Sequence, residues 1–152
     1  MKLLTKAIST FFYLGYLPAV PGTFGSLAGL GLFYLLKDNY PVYIIFTALA
    51  VALGFFTSGA AEKLLRKKDP SCIVIDEVAG MLLALLFLPA DIKVVITAFV
   101  FFRVLDSLKP YPACQLQGLR GSLGIMSDDI TAAMYTNIIL QVALRLAVFK
   151  IS

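Results

Sequence analysis

From Pro41 to Ala61 the chain carries no charged side chain. Coiled as a helix, such a run is about 30 Å long, the thickness of the hydrocarbon core of a bilayer. The rest of the chain is nearly as apolar. Hydrophobic residues make up 60% of the 152 and charged residues 14%, with a mean hydropathy of +0.90. An ordinary soluble domain has roughly 45–50% and about 25%. The sequence therefore predicts an integral membrane protein: an all-α helical bundle, one domain over residues 1–152, with four or five crossings taking up nearly all of its length. The same composition excludes a disordered chain, a nucleic-acid-binding arm and a disulfide-stapled secreted scaffold.

Along the chain, Leu4, Ala7, Ile8, Phe11 and Phe12 share one helical face, opposite Lys2, Thr5, Lys6, Ser9, Thr10 and Tyr13. This pattern predicts an amphipathic helix lying in the membrane interface. The polar Ser9 and Thr10, with no small-x-small site after them, argue against a cleaved signal peptide. Apolar stretches follow at Phe24 to Leu36, Pro41 to Ala61, Ile73 to Leu88, Ile92 to Leu108 and Ile130 to Phe149, giving five expected spans. With the amino terminus cytoplasmic, Lys2, Lys6, Lys63, Arg66, Lys67, Lys68, Arg103, Lys109 and Arg120 lie inside, nine of the 13 basic residues. Lys37, Lys93, Arg145 and Lys150 lie outside, so the positive-inside bias places the carboxyl end outside. Gly25 and Gly29 in GSLAG stand at small-xxx-small spacing, the one hint of a homodimer seam.

The chain has no histidine. That removes Ser-His-Asp hydrolysis, histidine-phosphate intermediates, the usual zinc sites and histidine-dependent lipid phosphatase chemistry. Cys72 and Cys114 stand apart, with no CxxC pair, and are read as reduced small hydrophobes. The informative residues are acidic. Five of the nine, Asp76, Glu77, Asp106, Asp128 and Asp129, fall within or at the edge of expected spans. There each costs about 2.5–3.5 kcal/mol on insertion scales. The expected orientation brings all five to the cytoplasmic ends of different spans. Oxygen-seeking divalent cations such as Mg²⁺ take one or two carboxylates plus water and phosphate oxygens, a demand two acidic pairs meet. Helix caps or interfacial ion pairs are the structural alternative.

Arg103, Asp106 and Lys109 recur at a spacing of three on one helical face before Pro110 ends the helix. Such a face can grip phosphate, or simply form an ion-paired helix end. The segment Pro21-Gly22-Thr23-Phe24-Gly25-Ser26 places glycines and hydroxyls ahead of a helix, where free N–H groups with Thr23 and Ser26 can hold an anion, unless it is only a tight turn. Together these features point to a phosphorylated lipid handled at the cytoplasmic surface.

The runs GYLPAVPGTFGS (Gly15 to Ser26), IVIDEVAG (Ile73 to Gly80), FRVLDSLKPYP (Phe102 to Pro112) and GIMSDD (Gly124 to Asp129), with Asp69, resemble the signature blocks of the phosphatidylglycerophosphatase A family, in order and in register. Two small-for-small departures stand beside them: Gly121-Ser122 where paired glycines are usual, and Ala132-Ala133 where Ala-Gly is usual. The resemblance implies a Mg²⁺-dependent phosphatase of the bacterial cytoplasmic membrane that converts phosphatidylglycerophosphate to phosphatidylglycerol. On that basis Asp76, Glu77, Asp128 and Asp129 are expected to hold one or two Mg²⁺, with Arg103 and Lys109 neutralising the transferred phosphoryl group. Asp106 would orient them or accept a proton from water, and Thr23 and Ser26 would hold the nonreacting oxygens. An aspartyl-phosphate route is the lesser alternative, since the DxDx[TV] arrangement is absent. Rival readings are a phosphatase of another lipid or prenyl phosphate, a small ion transporter, and a CDP-alcohol phosphotransferase-like synthase, whose DxxDGxxAR block is missing.

Overall fold

A computed structural model describes residues 2–151, with side chains to Ala147. The side chain of Lys150, counted above at the outer end, lies outside the described residues. The chain folds into seven α-helices, with no strand among the described residues. They are α1 (Lys2–Ser9), α2 (Pro21–Leu36), α3 (Tyr40–Leu65), α4 (Ile75–Ala84), α5 (Ile92–Leu108), the single turn α6 (Ala113–Leu116) and α7 (Ser122–Ile151). Two of them, α3 and α7, are long and apolar enough to cross a membrane. At 1.5 Å per residue, α2 and α5 reach about 24 and 26 Å, and α4 about 15 Å. The apolar run Ile73 to Leu88 is therefore helical only in its middle.

Local chemistry sets most boundaries. Pro21 and Pro41 sit in the first turns of α2 and α3, where a missing N–H costs nothing. Asp91 caps α5, its side chain accepting from Lys93 N at 2.8 Å and Val94 N at 3.4 Å. At the other end Lys109 turns left-handed (φ 46°) and Pro110 follows. The start of α7 departs from expectation. Asp128 and Asp129 were expected at a helix edge, yet the helix begins at Ser122 and carries both aspartates inside it.

The amphipathic pattern of α1 is only partly used. Leu4 and Phe12 of the expected apolar face are exposed, but Ser9 and Thr10, expected on the polar face, are fully buried. Both hydroxyls donate to Lys6 O, so their polarity is met within the helix. Their small volume then lets α1 lie close on α3. Ser9 O also accepts from Val74 N at 3.0 Å, tying α1 to the segment that leads into α4.

Helix α4 is the centre of the molecule. Val78, Ala79, Met81, Leu82, Ala84 and Leu85 are wholly buried, with α2, α3, α5 and α7 packed around them. A short helix ending inside an apolar bundle leaves carbonyls without partners. Side chains from the neighbours supply them. Tyr43 OH donates to Leu82 O, and Asn137 Nδ2 donates to Ala84 O at 3.0 Å and Leu86 O at 2.7 Å.

Against α4, helix α2 presents a stripe of small residues, Gly22, Gly25, Ser26 and Gly29. The Gly25 and Gly29 pair is thus used within the molecule. A Cβ on Gly29 would sit 2.8 Å from Val78 O and 2.9 Å from Met81 Cβ. We expect Gly29→Val to lower stability in detergent by about 2–3 kcal/mol or to prevent folding. Gly31→Ala, where nothing lies within 4 Å, should leave the melting temperature unchanged or slightly raised. Equal melting temperatures for the two variants would contradict this packing.

Candidate active site

Four helix ends meet at one end of the bundle. Asp76 and Glu77 lie in the first turn of α4. Asp106 and Lys109 come from the end of α5, Asp128 and Asp129 from the second turn of α7, and Gly22 from the start of α2. Between them opens a cleft of about 340 Å³, lined also by Asp69, Ser71, Arg103 and Ser107. Asp76 is 7% exposed, and Asp128 and Asp129 are 4% exposed. A Cβ on Gly22 would collide with Glu77 Oε1, so the glycine allows α2 to close one wall against that carboxylate.

Two ion pairs lie in the cleft. Arg103 Nη1 meets Asp106 Oδ2 at 2.8 Å, one turn along α5. Lys109 Nζ meets Asp128 Oδ2 and joins α5 to α7. Burial alone would lower the Lys109 pKa, but the Asp128 hydrogen bond and the surrounding carboxylates outweigh it and hold the value above the ordinary lysine range.

The two cations do not balance the cleft. Six carboxylates line it, counting Asp69, against Arg103 and Lys109. Asp76 Oδ1, Glu77 Oε2, Asp128 Oδ1 and Asp129 Oδ2 are buried with no hydrogen-bond partner. Oxygens in that state are costly unless something positive binds them. One oxygen each from Asp76, Glu77 and Asp129 lie within 4.8 Å of one another, as do oxygens of Asp106, Asp128 and Asp129. Asp129 belongs to both groups. These are hard oxygen donors of the kind that suits Mg²⁺, Mn²⁺ or Ca²⁺. Neither cysteine lines the cleft, so a soft-metal site has no ligands there.

The remaining expected site residues fare differently. Thr23 lies outside the cleft, in an adjoining groove that shares Arg103 and Ser107 with it. Ser26 is fully buried against α4 and donates to Gly22 O at 3.0 Å, so its hydroxyl is not placed to hold a substrate oxygen. That hydroxyl is engaged with the first turn of its own helix, inside the packed face of α2. Ser71 was not singled out from the sequence, and Gly22 and Ser107 stood inside quoted motifs without a role of their own. For Ser107 a signal existed, its place four residues after Arg103 on the same helical face.

The described helices include two long and apolar enough to cross a membrane, and the bundle gathers acidic and basic groups in one cleft, an arrangement suited to a cation and a phosphoryl group. The chain belongs to the phosphatidylglycerophosphatase A family, whose sequence profile matches residues 7–144. It is 37% identical to the phosphatidylglycerophosphatase A of Escherichia coli K12 over 79% of this chain and 72% of that one. The enzyme of the same name from Haemophilus influenzae is 36% identical over 82% of this chain and 79% of its own. A Bacteroides thetaiotaomicron protein, provisionally named a phosphatidylinositol-3-phosphatase, is 34% identical over 90% and 91%. No solved structure matches the chain significantly.

Proposed function

We propose that the protein is a Mg²⁺-dependent phosphatase that removes the terminal phosphate of phosphatidylglycerophosphate at the cytoplasmic face of the bacterial inner membrane. The observation that carries this reading is the set of four unpartnered buried carboxylate oxygens beside Arg103 and Lys109. The names of the Escherichia and Haemophilus relatives support the substrate. The membrane arrangement is one domain with α1 in the interface and five embedded segments. Of these, α4 reaches only part of the depth, so that the ends of α2, α4, α5 and α7 share the cytoplasmic side.

Asp76, Glu77 and Asp129 would hold one cation, and Asp106, Asp128 and Asp129 fit a second. A bound Mg²⁺ supplies positive charge to the phosphate oxygens and to the attacking water. Arg103 keeps N–H donors beyond the one given to Asp106 and grips nonbridging oxygens of the phosphomonoester. Lys109, charged and fixed by Asp128, neutralises the charge that develops on the leaving side. Asp106, oriented by Arg103, accepts the proton of the attacking water.

Phosphate release by the purified protein tests this, with Mg²⁺ or EDTA and with Asp76→Asn as the control. Release from phosphatidylglycerophosphate that needs Mg²⁺ and falls at least about a hundredfold in the variant is the expected result. Metal-independent release, or full activity in Asp76→Asn, would remove the metal reading. The Bacteroides relative makes phosphatidylinositol 3-phosphate the specific second substrate to compare. A higher kcat/KM on that lipid would transfer the function to it, with the same site.

A further inference from the structure

We infer that the groove between α2 and α5 holds the glycerol backbone and the first part of an acyl chain of the lipid substrate, while its phosphomonoester lies in the carboxylate cleft. This rests on the lipid phosphatase reading above. The groove has a volume of about 530 Å³ and is walled by Thr23, Phe99, Arg103, Val104, Ser107 and Leu108. Arg103 and Ser107 are also walls of the cleft. The two spaces therefore adjoin, with Arg103 and Ser107 as their common wall, so one molecule draped over that wall would occupy both.

The chemistry changes across that partition. On the cleft side stand carboxylates, and on the groove side Phe99, Val104 and Leu108. Phe99, Arg103 and Ser107 follow one another at four-residue steps, so the groove runs along a single face of α5. From Ser107 back to Phe99 the axial distance is about 12 Å. That path leads away from the charged end, into the part of α5 between Ile92 and Phe102, which holds no charge except Lys93. Val104 is 47% exposed and Leu108 72%, and the groove is open among the described residues. An open groove with an apolar wall beside the charged cleft suits a phosphorylated head on an alkyl tail.

The partition itself suits the polar middle of such a lipid. Arg103 spends one N–H contact on Asp106 and retains donors for an ester or diester oxygen. Thr23 contributes a hydroxyl with no hydrogen-bond partner among the described residues, on the groove side of Arg103. The substrate then arrives sideways from the bilayer, without its tails ever leaving it.

The test uses the full chain in nanodiscs, with Val104→Trp to fill the groove and Val104→Ala as the folding control. Hydrolysis of a long-chain lipid phosphomonoester is compared with that of glycerol 3-phosphate, which has no tail. The expected result for Val104→Trp is a fall of about tenfold or more in the ratio of the two kcat/KM values, carried by KM for the lipid. An unchanged ratio in Val104→Trp would overturn the assignment. Independently of turnover, a phosphatidic acid bearing an acyl-chain diazirine should crosslink to residues 99–108 of α5, and unlabelled lipid phosphomonoester should compete it away. Labelling spread evenly over α3 and α7 would overturn the groove even in an active enzyme. Labelling confined to α5 in a protein that releases no phosphate would leave the groove standing and remove the phosphatase reading.

Discussion

Asp129→Asn is expected to abolish phosphate release and, in the metal-free protein, to raise thermal stability. Both effects follow from one position. Asp129 is the carboxylate common to the two acidic groups, so its loss weakens every cation site the cleft can form. A fall of about a thousandfold or more in kcat/KM, near 4 kcal/mol in the barrier, is the scale for removing a charge-organising group of this kind. Without cation, however, Asp129 is an almost fully buried carboxylate whose Oδ2 has no partner. An amide of the same shape relieves crowding with Asp76, Glu77, Asp106 and Asp128, and about 1–3 kcal/mol of stability is the expected gain. Unfolding curves in EDTA, a Mg²⁺ titration and the rate assay read the three consequences separately. A variant less stable than wild type in EDTA would show that Asp129 serves the fold and not the cation.

Lys109→Met is expected to act in the opposite sense on the two ligands. The ammonium pairs with Asp128 across α5 and α7, and removing it leaves the cleft with Arg103 as its remaining cation. Affinity for Mg²⁺ should rise, while KM for the phosphorylated lipid rises by about tenfold or more and kcat falls. Breaking a buried pair costs about 3–5 kcal/mol in a dry site, but the Lys109 side chain is 25% exposed, so water reduces the penalty to about 1–2 kcal/mol. Adding Asp128→Asn should restore the stability and not the activity, and the double-mutant cycle measures that coupling. A loss of Mg²⁺ affinity in Lys109→Met would sink this account.

The convergence of Asp76, Glu77, Asp106, Asp128 and Asp129 was legible because charge in an apolar run is expensive and has to be met by a partner. The limits of α5 were legible for a local reason as well, an aspartate cap at one end and a proline at the other. What could not be read was set by tertiary contact. Leu85 and Leu88 are buried outside any helix, so the apolar run Ile73 to Leu88 looked like a full span when only its middle is coiled. Asp128 and Asp129 resembled a boundary because their partners, Lys109 and the facing carboxylates, are distant in sequence. Ser26 looked like an anion ligand by its place near a helix start. Its neighbours Gly22, Gly25 and Gly29 already marked the packed face to which it belongs.

The way α4 ends has a consequence for how the enzyme comes into being. Its last carbonyls find their partners on Tyr43 and Asn137, one made before α4 and one long after it. Without α7, α4 has open carbonyls at one end and, at the other, Asp76 and Glu77 without the facing Asp129. The same late helix then closes both, through Asn137 below and Asp128 and Asp129 above. Completion of the acidic cleft and capping of α4 thus both depend on α7, and under the proposed function a chain without α7 would lack the site as well as the caps.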